Sequence, residues 1–209
     1  MSFTEKYKWL LPSLCFSGLL LVCRVLYTGH LTFLFLLWNL FLAALPLYFA
    51  HRVHLANSSR KGWLFAALWL LFFPNAMYIT TDLFHLYQRE YIPLWYDLLL
   101  ILSAALNGVV LGFISLQKME QWLVGFIDKR YLSFIVFLVF VMCGYGIYLG
   151  RYERWNSWDI VTNPFGLAGD IIHHVIHPFR NKDIWILSAA FGTWMFLIYQ
   201  QLVRLKKSR

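Results

Sequence analysis

The feature that most constrains this chain is a recurrence. Six apolar runs, each long enough to span a bilayer, follow one another with only short polar segments between them. They extend from Trp9 to Tyr27, Leu31 to Ala50, Trp63 to Ile79, Pro93 to Leu116, Tyr131 to Leu149 and Asp183 to Leu202. A helix needs roughly 20 residues to cross the hydrocarbon core, and it satisfies its own backbone hydrogen bonds where no water can. The runs lack the period-two alternation of a transmembrane barrel. Of 209 residues, 60% are hydrophobic and 13% charged, a balance far from that of a soluble domain. The expected fold is therefore all-α: a polytopic transmembrane helical bundle in one domain, residues 1–209, with six spanning helices. A short outer amphipathic helix is expected in the longest loop, approximately residues 150–182.

Lys6 and Lys8 precede the first run as in a signal peptide, but no small-x-small cleavage site follows near LYTGH, so an uncleaved first helix is expected. Cys15, Cys23 and Cys143 lie singly inside apolar runs, a spacing that suits neither a disulfide framework nor a thiolate metal site.

Lys and Arg collect in cytoplasmic loops. Lys6, Lys8, Arg52, Arg60, Lys61, Lys118, Lys129, Arg130, Arg204, Lys206, Lys207 and Arg209 fall on one side, against Arg24, Arg89, Arg151, Arg154, Arg180 and Lys182 on the other. Both termini are expected in the cytoplasm, and the loop at 150–182 outside. The net charge of +8 then reflects topology and attraction to anionic lipid, and no soluble module is present to carry nucleic-acid binding. On the cytoplasmic side, QKMEQWLVGFIDKR has apolar residues at helical spacing and reads as a separate short interfacial helix.

Polar residues line up near the outer ends of the runs. If helix continues past Pro74, Asn75, Tyr78, Asp82 and His85 share one stripe. Asp97 lies on one face with Ala104, Asn107 and Gly108, above a strip of small residues suited to close helix packing. If the fifth helix extends past Gly150, Tyr148, Arg151, Trp155 and Asp159 form a further stripe, with Asp82, Asp97 or Asp159 as the partner that a buried Arg151 needs. Asn39 and Asn107, near mid-membrane, read as hydrogen-bonding glue between helices. Arg24 near the outer end of the first helix is explained by snorkelling.

Within NPFGLAGDIIHHVIHP, Asp170, His173, His174 and His177 recur on one helical face, with apolar residues opposite. Such a set can ligate a divalent transition metal such as zinc or copper, or can simply be the wet face of an interfacial helix.

The segments Trp38 to Leu47, Pro74 to Leu86, Pro93 to Gly108 and Gly146 to Ile160 jointly resemble the bacterial integral-membrane family catalogued as domain-of-unknown-function family 1361, over about Phe33 to Gly192. The resemblance implies a multi-helix protein of a bacterial inner or plasma membrane and adds no mechanism. G-x-S-x-G, H-E-x-x-H and a phosphate-binding glycine loop are absent, as is the Pro-Ser-Gly-His box of phosphatidic-acid phosphatases.

Three functions fit these residues. The first is an outward-facing pocket for a polar or anionic lipid headgroup. Arg151 and Arg154 would grip the anion, Trp155 and Trp158 would form an aromatic wall, and Asn75, Tyr78, Asn156 and Asp159 would complete the lining. The second is a membrane-embedded hydrolase or transferase with His85 as base, Asp82 or Asp97 orienting it, and a metal activating water. The third is a small transporter or accessory subunit. A purely structural ion-pair network accounts for the same residues equally well.

Overall fold

The computed structural model describes Glu5 and residues 7–89 and 91–207, with side chains through residue 203. Lys6 and Arg209, and the side chains of Arg204, Lys206 and Lys207, all used in the charge count, lie outside the described residues.

Among the described residues the chain is helical and has no strand. The helices are α1 (Leu11–Thr28), α2 (Phe35–His54), α3 (Ser59–Tyr78), α4 (Leu94–Leu123), α5 (Lys129–Arg151), α6 (Asp159–Thr162), α7 (Pro164–Ile176) and α8 (Lys182–Lys207). Six of these, α1 to α5 and α8, are long and apolar enough to cross a membrane. The protein is thus a multi-pass membrane protein, and each of the six apolar runs corresponds to one spanning helix. Helix ends follow local chemistry. Ser58, Asp128 and Asn163 cap α3, α5 and α7 by accepting backbone N–H groups that have no intrahelical partner. Gly29, left-handed at φ 68°, stops α1.

Two departures from expectation have local causes. The segment from Gln117 forms no separate interfacial helix. It is rich in good helix formers, so α4 simply continues to Leu123 before the chain turns at Val124–Ile127. Beyond Tyr78 the α-helix tightens into a 3-10 segment, Ile79–His85. At three residues per turn the aligned set becomes Ile79, Asp82 and His85 rather than the stripe expected at 100° per residue. Ile79 and Asp82 are buried, while His85 is exposed.

The chain divides into two compact units, Met1–Met119 and Glu120–Arg209. In the first, Gly108 and Gly112 of α4 bring its backbone against α3. A Cβ at Gly108 would stand 2.7 Å from the Ala76 carbonyl oxygen, and one at Gly112 would stand 3.0 Å from the Ala76 Cβ. The small-residue strip read from sequence therefore works as a packing surface. Asn107 joins α4 to α1: its Nδ2 donates to the Ser13 carbonyl and to Ser17 Oγ at 3.0 Å each, and its Oδ1 accepts from Ser13 Oγ at 2.7 Å. Asn39 donates to Asp82 Oδ2 at 2.7 Å, tying α2 to the 3-10 segment. Both asparagines act as the glue expected of them.

In the second unit, α5 and α8 pack antiparallel. Gly144 faces the Ser188 backbone, Gly192 faces the Val141 backbone, Phe137 meets Phe196, and Gln200 donates to Ser133 Oγ. Each pair steps about one helical turn along, so a single register runs the length of the contact.

Candidate functional site

In the first unit, four chain segments meet at one end, three of them with charged groups and one with an aromatic ring. Arg24 sits four residues before the end of α1, about 6 Å along the axis. Asp97 opens α4, and Arg89 lies on the connection before it, pinned by an isolated bridge between Arg89 and Ile92. Phe33 precedes α2.

Arg24 is 2% exposed and Asp97 1%. Arg24 Nε donates to Asp97 Oδ1 at 2.7 Å and its Nη2 to Oδ2 at 3.3 Å, a side-on bidentate pair. Arg89 Nη1 donates to the same Oδ2 at 2.7 Å, and its Nη2 reaches the His85 carbonyl at 3.4 Å. Both guanidiniums lie over the Phe33 ring, at 4.4 and 4.6 Å from its centroid, contacts that favour cations on an apolar base. Arg24 therefore points into the protein and does not snorkel. At that depth a buried guanidinium needs a charged partner, and Asp97 supplies it.

Two consequences follow from charge and donor count. One carboxylate shared by two guanidiniums leaves the trio with one positive charge in surplus. In addition, Arg24 Nη1, directed away from Asp97 by the side-on geometry, is buried with no hydrogen-bond partner among the described residues. An unsatisfied buried donor costs about 1–3 kcal/mol, more when charged. Arg24 also lines a cleft of about 290 Å³, together with Cys23, Tyr27, Ile92, Pro93 and Tyr96. Tyr96 holds the cleft's two sides together by donating to the Leu20 carbonyl at 2.8 Å.

Of the candidates read from sequence, Asn75, Tyr78, Asp82, His85 and Asp97 lie in this unit. Asn75 donates to the Phe72 carbonyl at 3.1 Å, and the His85 ring packs at a tilt against Phe35, centroids 5.1 Å apart. Asp97 is engaged by Arg24 and Arg89. The residues themselves were visible in the sequence: Arg24 and Asp97 are opposite charges near the ends of the first and fourth apolar runs, and Arg89 precedes Asp97 by eight residues.

The remaining candidates lie in the second unit. The stripe from Tyr148 to Asp159 does not form, because α5 ends at Arg151 and Arg154 adopts a left-handed conformation, φ 64°. For a non-glycine residue that conformation costs about 1–2 kcal/mol. It turns the chain so that the Trp155 N–H donates to the Leu149 carbonyl at 3.0 Å. The Trp155 indole then donates to Asp170 Oδ2 at 2.8 Å. Asp159 accepts from the Asn156 backbone at 2.7 Å and from Thr162 Oγ1 at 2.9 Å, holding a turn of its own. Those bonds, the backbone one first, hold its carboxyl below the ordinary value of 3.8. Trp158 is exposed.

Helix α7 is amphipathic as expected, but its polar face is not wet throughout. His174 is its one buried residue. Its Nδ1 lies 3.0 Å from the Tyr145 hydroxyl and its Nε2 3.9 Å from Glu153 Oε1, and Tyr145 stacks flat on Trp185. His173 and His177 are exposed and pack ring to ring at 5.1 Å. Asp170, His173, His174 and His177 do not converge on a point: among the described residues no three His, Cys, Asp or Glu side chains gather as a metal ion requires. With Asp170 bound to Trp155 and His174 turned inward, the four ligands expected from helical spacing face different neighbours.

Comparison with known proteins returned no match among curated proteins and none among solved structures. The family described as "Protein of unknown function (DUF1361)" matches residues 38–198, well over half of the chain. This protein belongs to the DUF1361 family.

Proposed function

We propose that this membrane protein binds the anionic headgroup of a lipid or lipid-linked molecule, with Arg24 as the group that grips it and Arg89 beside it. The observation that carries this reading is the buried Arg24 Nη1, which has no partner among the described residues although the same guanidinium is clamped on Asp97. A guanidinium presents fixed, paired N–H groups that match phosphate or carboxylate oxygens. The surplus positive charge of the trio is complemented by one anion. The positive-inside expectation supports an extracytoplasmic, headgroup-level position for this end of the helices.

Native mass spectrometry of gently solubilised protein tests the reading. The wild type is expected to retain anionic lipid. Arg24→Lys keeps a cation for Asp97 and removes Nη1, so retention should fall about tenfold or more, as expected for a lost charge-assisted hydrogen bond of about 1.5–3 kcal/mol. Equal retention by both proteins would overturn it.

A second reading, a hydrolase or transferase acting on a lipid-linked substrate, is favoured by one observation. His174 is buried between Tyr145 and Glu153, the setting of an oriented acid–base group. His85, exposed and without Asp97 free to orient it, suits that role less well. Phosphate release from a lipid-linked phosphate by reconstituted protein, lost in His174→Gln, is the expected result. No release by the wild type would contradict it.

A further inference from the structure

The cleft has Arg24 at its inner side and is otherwise built from the apolar and aromatic faces of Cys23, Tyr27, Ile92, Pro93 and Tyr96. It runs between the last two turns of α1 and the start of α4. Cys23, Tyr27 and Pro93 are exposed where it opens on the flank of these helices, and Ile92 and Arg24 are buried at its inner side. A free anion could use Arg24, but it has no use for the rest of this lining. A neutral lipid could lie in the cleft, but it would leave Nη1 without an acceptor.

We infer that the ligand is a single-anion amphiphile, a phosphate- or carboxylate-headed lipid, whose head accepts from Arg24 Nη1 and whose first chain segments lie in this cleft. The inference rests on the headgroup reading above and adds the class of molecule and its direction of approach. Three features of the cleft agree with it. Asp97 already takes the other edge of the Arg24 guanidinium, so the group left over is one donor edge, suited to one anion rather than to a polyanion. The cleft volume of about 290 Å³ exceeds what a lone phosphate fills and leaves room for attached chain. The opening lies on the side of helices that span the membrane, so a lipid reaches it laterally without leaving the bilayer. Apolar lining with a few placed polar groups is the usual composition of a site for such molecules.

The test uses full-length protein in nanodiscs of dioleoyl phosphatidylcholine, titrated with dioleoyl phosphatidic acid or with inorganic phosphate, and three sequences: wild type, Arg24→Lys and Cys23→Phe. Cys23→Phe fills the cleft from its exposed rim and leaves the Arg24 to Asp97 pair in place. Wild type is expected to take up phosphatidic acid at least tenfold more tightly than inorganic phosphate. Cys23→Phe should lose that preference while its thermal unfolding stays unchanged. If Cys23→Phe binds phosphatidic acid as the wild type does while Arg24→Lys does not, the headgroup reading stands and the cleft inference falls. If Arg24→Lys also binds as the wild type does, both fall. Equal affinity for inorganic phosphate and phosphatidic acid would reduce the site to a simple anion site and overturn the inference. Cys23→Ser, close in size, should behave as the wild type, and its failure to do so would overturn the inference.

Discussion

Arg24 and Asp97, 73 residues apart in the chain, form a bidentate ion pair at 2.7 and 3.3 Å in which both side chains are almost fully buried. The pair closes α1 against α4 at the same end where Arg89 and Phe33 converge. Its energetics are asymmetric, because desolvation offsets much of the attraction while breaking the pair leaves an uncompensated charge.

Asp97→Asn should accordingly cost about 3–5 kcal/mol, since it strands two guanidiniums on one neutral amide. Thermal unfolding in detergent measures this. Adding Arg24→Leu to Asp97→Leu should recover part of the loss, and a double mutant less stable than the sum of the singles would contradict the pairing.

The contact of α5 with α8 depends on glycine. A Cβ at Gly144 would stand 2.6 Å from the Ser188 carbonyl oxygen, and backbone cannot yield as a side chain does. Gly144→Ala should destabilise by about 1–3 kcal/mol. Gly18→Ala, where nothing lies within 4 Å, should be neutral or stabilising by up to about 1 kcal/mol, because alanine is the better helix former. The same unfolding assay compares them, and equal effects would contradict the register described.

The spanning helices were fully legible in the sequence, because length and hydropathy are properties of each run alone. The capped starts at Ser58, Asp128 and Asn163 and the stop at Gly29 are equally local. Three things were not legible, each for a physical reason. The tightening after Tyr78 is a change of helix type that hydrophobic period does not encode, and it aligns Asp82 and His85 with Ile79 instead of with Asn75 and Tyr78. The left-handed Arg154 is a backbone state that composition disfavours for arginine, and it dissolved the stripe from Arg151 to Asp159. The partnership of Arg24 with Asp97 depends on which helices are neighbours. Snorkelling explains an isolated Arg24 just as simply, because nothing in the sequence pairs the first apolar run with the fourth.

Asp159 supports a turn whose strength should depend on pH. Its folded pKa is lowered, so the stabilisation is fully present above the unfolded value of 3.8 and is lost as pH falls through the lower folded value. Hydrogen exchange over residues 155–163 should speed up relative to the rest of the chain as pH falls below 3.8 and keep a constant ratio to it at higher pH. Asp159→Asn should remove that pH dependence, and a persistent dependence in this variant would assign it to another group.

Asn107→Leu removes three hydrogen bonds between α1 and α4 at once. In a membrane setting such links are worth about 0.6–2 kcal/mol. A drop of that size in detergent unfolding is expected, and no change would show that Ser13 and Ser17 find equivalent partners elsewhere.

The central claim, that the Arg24, Asp97 and Arg89 trio holds an anionic headgroup, is tested most directly by the thermal shift that dioleoyl phosphatidic acid produces in purified protein. A ligand that binds only the folded state stabilises it by about 2.7 kcal/mol at a hundredfold excess over Kd. Phosphatidic acid should raise the unfolding temperature of the wild type, phosphatidylcholine should not, and Arg24→Lys should abolish the difference. An unfolding temperature that rises equally with both lipids, or equally in wild type and Arg24→Lys, would contradict the claim.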